Sequence, residues 1–237
     1  MMRVARDAPY DKGATMIEQL RQGWVYVSRS VPIRSILLLF SVLSLMGWPF
    51  MVLMPIFAAQ VLGGGPHTLG FLMGAVGVGS LASALSLVLR RSVRGLLKMI
   101  PIAAAVFGAG LISFGLSHDL RVSLPMMLVT GFGMMQGLTA SNTILQTLVD
   151  EKMRGRVMSY YTMAFVGMAP FGSLMAGALA HSIGAPRTVI LSGVACILAS
   201  LWFWSRMSAI RSVMQPIYER LGIVPSTSVA VEEAAEG

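Results

Sequence analysis

Six long runs without any charged residue or histidine dominate the chain. They are residues 35–61, 69–89, 99–117, 122–149, 157–180 and 188–205. A helix needs about 20 apolar residues to cross the roughly 30 Å hydrocarbon core of a bilayer. The runs are apolar throughout rather than alternating every second residue, which disfavours the strands of a transmembrane barrel. The pattern therefore predicts an all-α membrane protein whose six transmembrane helices form one bundle over residues 35–205.

The segment before the first run has a helical period of its own. Between residues 14 and 31 six apolar residues share one arc of about 100°, and Glu18, Arg21, Gln22 and Arg29 lie on the opposite side. The six are Met16, Ile17, Leu20, Trp24, Val27 and Val31. Residues 1–34 are therefore predicted to be a cytoplasmic segment with an amphipathic helix at the membrane interface. A short soluble cap or linker helix is the alternative. Residues 206–237 are predicted to be a cytoplasmic tail that is partly disordered.

Composition and charge agree with a multi-pass membrane protein. The chain is 55% hydrophobic and 12% charged, which is not the composition of a soluble domain. Of its 18 Lys and Arg residues, all but Arg121 and Arg187 fall before the first run, after the last, or in the second and fourth connections. The positive-inside rule then places the protein in the plasma (inner) membrane with both termini on the cytoplasmic side. The basic balance thus indicates the lipid bilayer as a partner and not nucleic acid.

Catalytic and metal-binding chemistry finds little support. The six runs hold no carboxylate, lysine or arginine, so they offer no buried proton-relay pair. His67, His118 and His181 lie one in each outer connection, at spacings that suit solvated residues better than a metal site. We therefore expect a protein that is not an enzyme, with no catalytic residue, no cofactor and no metal.

The fourth predicted span carries the strongest polar pattern. Five polar side chains share an arc of about 120° at 100° per residue. They are Gln136, Thr139, Asn142, Thr143 and Gln146. Polar groups at membrane depth face either a protein partner or a water-filled cavity. The arc is therefore predicted to line a substrate path or to make hydrogen bonds between helices, and both can hold for different members.

The first predicted span adds bulky side chains at a proline bend. Met46 and Trp48 precede Pro49, and both are candidates to line the same substrate cavity. The chain has 19 methionines, which would suit an adaptable cavity but serve equally as ordinary core filler.

Several stretches resemble one family of transporters. Residues 20–27 (LRQGWVYV), 49–57 (PFMVLMPIF) and 61–65 (VLGGG) resemble the start of the second half of a major facilitator superfamily transporter. Residues 149–158 (VDEKMRGRVM) and 169–177 (APFGSLMAG) are similar to a cytoplasmic loop and the following helix in its transmembrane secretion effector branch. Enterobactin-exporter-type permeases belong to that branch. The resemblance covers about residues 16–205.

The resemblance implies half of a major facilitator superfamily fold. In that superfamily two six-helix halves rock around a central site, which the first and fourth spans of this chain would help to line. The implied function is the C-terminal half of a secondary active exporter of siderophore- or drug-like small molecules that works by alternating access. Its partner would be an N-terminal six-helix half, from the same gene or a separate chain, or a second copy. The alternative is a non-transporting six-helix membrane protein, such as an assembly partner, a scaffold or a truncated remnant.

Two basic cytoplasmic loops are candidates for controlling conformation. They contain Arg90, Arg91 and Arg94 after the second span, and Arg154, Gly155 and Arg156 in the predicted loop 150–156. Guanidinium groups can hold a carboxylate or the last carbonyls of a helix, and glycine can adopt a backbone conformation that is closed to other residues. The first loop keeps the basic residues of the family's signature but lacks its aspartate. The alternative is that the arginines only fix the topology and hold lipid phosphates.

Reporter fusions test the predicted orientation. Fusions after Gly65, Ser117 and Ala185 should all report an outside location, because the basic residues concentrate on the opposite side of the membrane. Paired alkaline phosphatase and fluorescent-protein activities measure this, with a fusion after Arg206 as the inside reference. A cytoplasmic signal at any of the three outer positions would contradict the six-span topology.

Overall fold

The computed structural model describes residues 16–89 and 95–220. Within these ranges the chain is helical and contains no strand. Six helical segments are long and apolar enough to cross a membrane, which confirms the all-α class and the number of spans. Arg90, Arg91 and Arg94 lie outside the described residues, as do residues 1–15 and 221–237 of the two predicted terminal segments.

The helices follow one another with short connections. In chain order they are α1 (Met16–Arg29), α2 (Val31–Val42), α3 (Phe50–Ile56), α4 (Pro66–Val88), α5 (Leu96–Leu116), α6 (Leu120–Leu148), α7 (Glu151–Thr162), α8 (Ala169–Ile183), α9 (Ala185–Ser205) and α10 (Met207–Arg220). The first span, Val31–Val61, contains α2 and α3, and the fifth, Glu151–Ile183, contains α7 and α8. The second, third, fourth and sixth spans are α4, α5, α6 and α9. Helix α1 occupies the segment predicted as interfacial, and α10 lies within the predicted tail.

Several spans begin before the uncharged runs do. Arg34 lies inside α2 and Arg121 inside α6. A membrane helix tolerates such residues near its end because the long basic side chain can extend until its charged group reaches the membrane surface. Local turn chemistry sets the helix ends instead. The Asp119 carboxylate caps α6 by accepting a hydrogen bond of 2.8 Å from the Arg121 amide, and Gly184 separates α8 from α9 with a φ of 88°.

The prediction of a loop at residues 150–156 is wrong. Helix α7 begins at Glu151, so Arg154, Gly155 and Arg156 lie in its first two turns. Gly155 is helical and has no positive φ, so the special backbone conformation expected of it is also wrong. The physical reason is that Asp150 precedes the helix and Glu151 begins it, and negative charge stabilises a helix N-terminus.

Glycines set the closest contacts between helices. Gly79 of α4 and Gly131 of α6 each lie against the backbone of the other helix, where an added Cβ would overlap a carbonyl oxygen. Between α5 and α9, a Cβ on Gly108 or Gly193 would lie 2.7 or 2.6 Å from the other glycine's carbonyl oxygen. Membrane helices associate through such packing because lipid supplies no hydrophobic drive between them. These two helix pairs are therefore joined backbone to backbone.

The bundle buries its spans unequally. In the most apolar stretch of each span, 56% of the third is buried, but only 22% of the second and 11% of the fifth. The second and fifth spans therefore expose most of their apolar surface, either to lipid or to another helical bundle.

Two spans are interrupted by wider π-helical turns. The turn Leu43–Gly47 interrupts the first span and Met163–Gly167 interrupts the fifth, and a second turn in the first span covers Phe57–Val61. Pro49 and Pro170 follow the first two of these turns. A proline has no N–H and its ring clashes with the carbonyl four residues earlier, so a regular α-helix cannot continue and a π turn accommodates the break.

The π turns of the first and fifth spans pack against each other. The Ser44 hydroxyl of one turn donates a hydrogen bond to the Phe165 carbonyl of the other. Pro170, five residues after Phe165, has no N–H to offer that carbonyl, and an unsatisfied carbonyl in hydrocarbon is costly. Gly172 lies against the Leu45 carbonyl, where an added Cβ would overlap the oxygen. We call this contact the π junction.

Alanine substitutions on α8 test the π junction. Gly172→Ala should destabilise the bundle by about 1–3 kcal/mol, because the new methyl group overlaps the Leu45 carbonyl and forces the two spans apart. Gly177 on the same helix has no atom within 4 Å of an added Cβ, so Gly177→Ala is the matched control and should be neutral or slightly stabilising. Thermal unfolding of the purified variants in detergent measures both. Equal midpoints for the two variants would contradict the close approach.

Candidate functional site

Aromatic side chains surround the π junction. Phe165 packs edge-on against Trp48 with ring centroids 4.9 Å apart, and against Phe40 at 6.1 Å. Tyr161 lies 5.4 Å from Phe40, and its hydroxyl donates a hydrogen bond of 3.3 Å to the Leu138 carbonyl on α6. These contacts bring the first, fourth and fifth spans together at one point.

The structure brings Trp48 to this point, and Met46 lies two residues earlier in the π turn Leu43–Gly47. Both side chains are half-buried. Trp48 shares a small apolar void with Gly137 and Leu138 of α6, so it meets the fourth span next to the predicted polar arc. Phe165 completes this cluster. No spacing in the sequence points to Phe165, although the two prolines that follow the π turns could have indicated broken spans.

Gln136 of the polar arc is buried among α4, α5 and α6. Its side-chain oxygen accepts hydrogen bonds from Ser83 at 2.7 Å and from Ser86 at 3.3 Å. Its side-chain nitrogen donates to the sulfur of Met99 at 3.7 Å. These contacts favour the inter-helix alternative for this member of the arc.

The other members of the arc are less buried. Thr139, Asn142 and Thr143 are half-buried and Gln146 is exposed. The Thr143 hydroxyl donates to the Thr139 carbonyl at 2.9 Å, so its hydrogen bond stays within α6. By helical geometry Asn142 projects about 40° from Leu138, which contacts the fifth span, and about 120° from Gln136, which contacts α4. Asn142 is therefore the arc member best placed to face a cavity on the side of α6 that meets the fifth span.

The second candidate region is the contact between α1 and α7. A guanidinium nitrogen of Arg156 donates a hydrogen bond to the side-chain oxygen of Gln22. Gly23 faces the Tyr160 ring, where an added Cβ would lie 2.9 Å from a ring carbon. The rings of Trp24 and Tyr160 have centroids 6.1 Å apart. Helix α1 is thus held against the beginning of the fifth span by polar and aromatic contacts.

A tyrosine and a carboxylate extend this contact. Burial raises the pKa of the Tyr26 phenol above its ordinary value, and the negative charge of Asp150 acts in the same direction. The phenol is neutral and able to donate at physiological pH, as an ordinary tyrosine is. Arg154 is exposed, and an added Cβ on Gly155 would meet nothing within 4 Å. Of the candidates on α7, the structure joins only Arg156 to α1.

One family accounts for the span pattern and for these segments. The family model for transmembrane secretion effectors matches residues 2–220. The chain belongs to that family. Since the family is a branch of the major facilitator superfamily, the resemblance seen in the sequence is confirmed, and the six-span bundle is half of that fold. No curated protein matches this chain.

Cysteine accessibility tests which part of the arc faces a cavity in this secretion effector. The one native cysteine, Cys196, is buried, so Cys196→Ala gives a thiol-free background. In that background Asn142→Cys should react with a membrane-impermeant maleimide at least roughly tenfold faster than Gln136→Cys, because thiol reactivity follows exposure. Mass spectrometry of the labelled protein measures the rates. Equal rates, or faster labelling at Gln136, would contradict the assignment.

Proposed function

We propose that this secretion effector is the C-terminal half of a secondary active exporter of siderophore- or drug-like small molecules. The family match over residues 2–220 is the observation that carries this proposal. The broken first and fifth spans support it, since irregular backbone at membrane depth is tolerated where it is packed in protein or lines a cavity. The substrate path runs beside the π junction, between Trp48 and Phe165 on one side and Asn142 on the other.

Alternating access requires a second bundle. Two bundles rock against each other around a central site, and the described spans form one of them. The second and fifth spans leave most of their apolar surface uncovered, which is where the second bundle docks. That bundle is an N-terminal six-helix half, from the same gene or a separate chain, or a second copy of this chain.

The distribution of basic residues orients this bundle. Both termini lie on the cytoplasmic side of the plasma membrane, because 16 of the 18 Lys and Arg residues fall on that side. Helix α1 and the beginning of α7 then lie together at the cytoplasmic surface. The exporter therefore carries the contact between Arg156 and Gln22 at the side from which substrate enters.

Arg156 acts on conformation rather than on substrate. One guanidinium nitrogen of Arg156 donates to Gln22 on α1 and, at 3.7 Å, to the Met153 sulfur on α7. The planar guanidinium is therefore held between these two helices. Helix α7 leads directly into the π turn Met163–Gly167. Movement of α7 relative to α1 therefore reaches the π junction, whereas the exposed Arg154 serves topology or lipid binding.

Efflux from proteoliposomes that contain the complete two-bundle transporter tests the proposal. Arg156→Lys should slow efflux several-fold with the apparent substrate affinity unchanged, because lysine keeps the charge but replaces the rigid planar guanidinium that bonds Gln22 with an ammonium on a flexible stem. Arg154→Lys is the matched control and should transport as the wild type does. Initial rates over a range of substrate concentrations, using a panel of catecholate and amphipathic dye substrates, separate rate from affinity.

Three outcomes of this assay would count against the proposal. Efflux from liposomes that contain only cross-link-verified monomer of this chain would refute the need for a second bundle. Unchanged efflux by Arg156→Lys, with normal insertion, would refute its conformational role. Failure of the wild type with either kind of second bundle, over the whole panel, would favour the non-transporting alternative.

A further inference from the structure

A cleft of about 340 Å³ opens between α1, the first span and the fifth span. Its volume is within the range of small-ligand sites. Trp24 of α1, Leu38 of α2 and Met163 of the π turn form three of its walls. The cleft is separate from the aromatic cluster around Trp48 and from the polar arc on α6.

Positive charge lies at one end of the cleft. Arg34 is the one charged side chain among the described residues that line it. It directly precedes the uncharged run 35–61, so its guanidinium lies at the membrane surface, at the level of lipid phosphates. Trp24 and Tyr160 also line the cleft, and aromatic side chains of this kind favour the membrane interface.

The remainder of the cleft is apolar and runs into the membrane. Leu38 and Ser41 follow Arg34 by four and seven residues, which places them about 6 and 10 Å deeper along the helix. Met163 and Met168 descend the opposite wall on the fifth span. Leu38, Met163 and Met168 are 47%, 60% and 39% exposed, so they offer apolar surface to an occupant, and the flexible thioethers can adapt to its shape.

We propose that this cleft binds one anionic phospholipid. The phosphate lies on Arg34 and one acyl chain lies along Leu38, Met163 and Met168. This order, a cation at the membrane surface and apolar side chains below it, matches the order of groups in a phospholipid. Arg34 favours an anionic lipid because a zwitterionic headgroup carries a cation of its own beside the phosphate. The inference does not rest on the proposed export function.

Lipid occupancy would connect the two candidate regions. The cleft is walled by Trp24 and Tyr160, which join α1 to α7, and by Met163 and Ala164 of the π turn. An acyl chain in the cleft therefore contacts both sets of residues. We expect the bound lipid to hold α1 against the fifth span and to raise the thermal stability of the chain.

Native mass spectrometry of the full, delipidated chain tests the site. The wild type should bind one phosphatidylglycerol with an affinity roughly fivefold above that for phosphatidylcholine of the same acyl chains. Arg34→Gln should remove this preference. Ser41→Leu and Ala164→Phe, which fill the cleft from opposite walls and keep the charge, should each weaken binding of both lipids. Arg206→Gln removes an exposed arginine elsewhere and is the matched control, which should bind as the wild type does.

Other outcomes would overturn the lipid assignment. Displacement of phosphatidylglycerol by excess inorganic phosphate would show a site for a free anion instead. A lipid preference in Arg34→Gln equal to that of Arg206→Gln would show that Arg34 does not hold the headgroup. Undiminished lipid binding by Ser41→Leu and Ala164→Phe would show that no acyl chain occupies the cleft. Thermal midpoints and monodispersity, measured for every variant, separate these results from misfolding.

Discussion

The hydrogen bond from Ser44 to the Phe165 carbonyl is the contact on which the site depends. Hydrocarbon offers no water to a backbone carbonyl, so a helix that is broken within the membrane must satisfy the freed group from elsewhere in the protein. The first span solves this problem for the fifth at the π junction, where the Ser44 hydroxyl donates to the Phe165 carbonyl. Met163 and Phe165 both belong to the π turn that contacts the first span. The aromatic cluster around Phe165 and the cleft beside Met163 therefore form at this contact.

The bundle combines a stiff frame with a more adaptable pair of spans. Helices α4 and α6, and helices α5 and α9, are joined through glycines that bring backbone against backbone, and such contacts leave little room for sliding. The first and fifth spans are broken, and beside the close approach of Gly172 to the Leu45 carbonyl they meet through side-chain pairs such as Trp48 and Phe165. A conformational change would therefore concentrate in the first and fifth spans, where the candidate site lies.

The number and class of the spans could be predicted because charge and hydropathy report directly on what a bilayer tolerates. The helix ends could not be predicted in the same way. Charged residues end a hydrophobic run without ending the helix, so Arg34 and Arg156 are helical although both lie outside the runs. The stretch around Arg156 was therefore predicted as a loop, although Asp150 and Glu151 favour a helix N-terminus there.

The site could be predicted only in part, for a related reason. Helical periodicity shows which polar residues share a face, but not which neighbour that face meets. Gln136 and Asn142 lie in the same predicted arc, yet Gln136 bonds Ser83 between packed helices and Asn142 projects about 120° away from it. The π junction joins residues that are distant in the chain, and no local pattern indicates that Ser44 and Phe165 meet.

That distance has a consequence for biosynthesis. Ser44 and Phe165 are 121 residues apart in the chain, and Gln22 and Arg156 are 134 apart. At 5–20 residues per second, roughly 6–24 s pass between the synthesis of Ser44 and that of its partner. During that interval the first span resides in the membrane with the Ser44 hydroxyl still without its Phe165 partner. The fifth span, which the finished bundle buries least, is thus the one whose arrival completes the π junction.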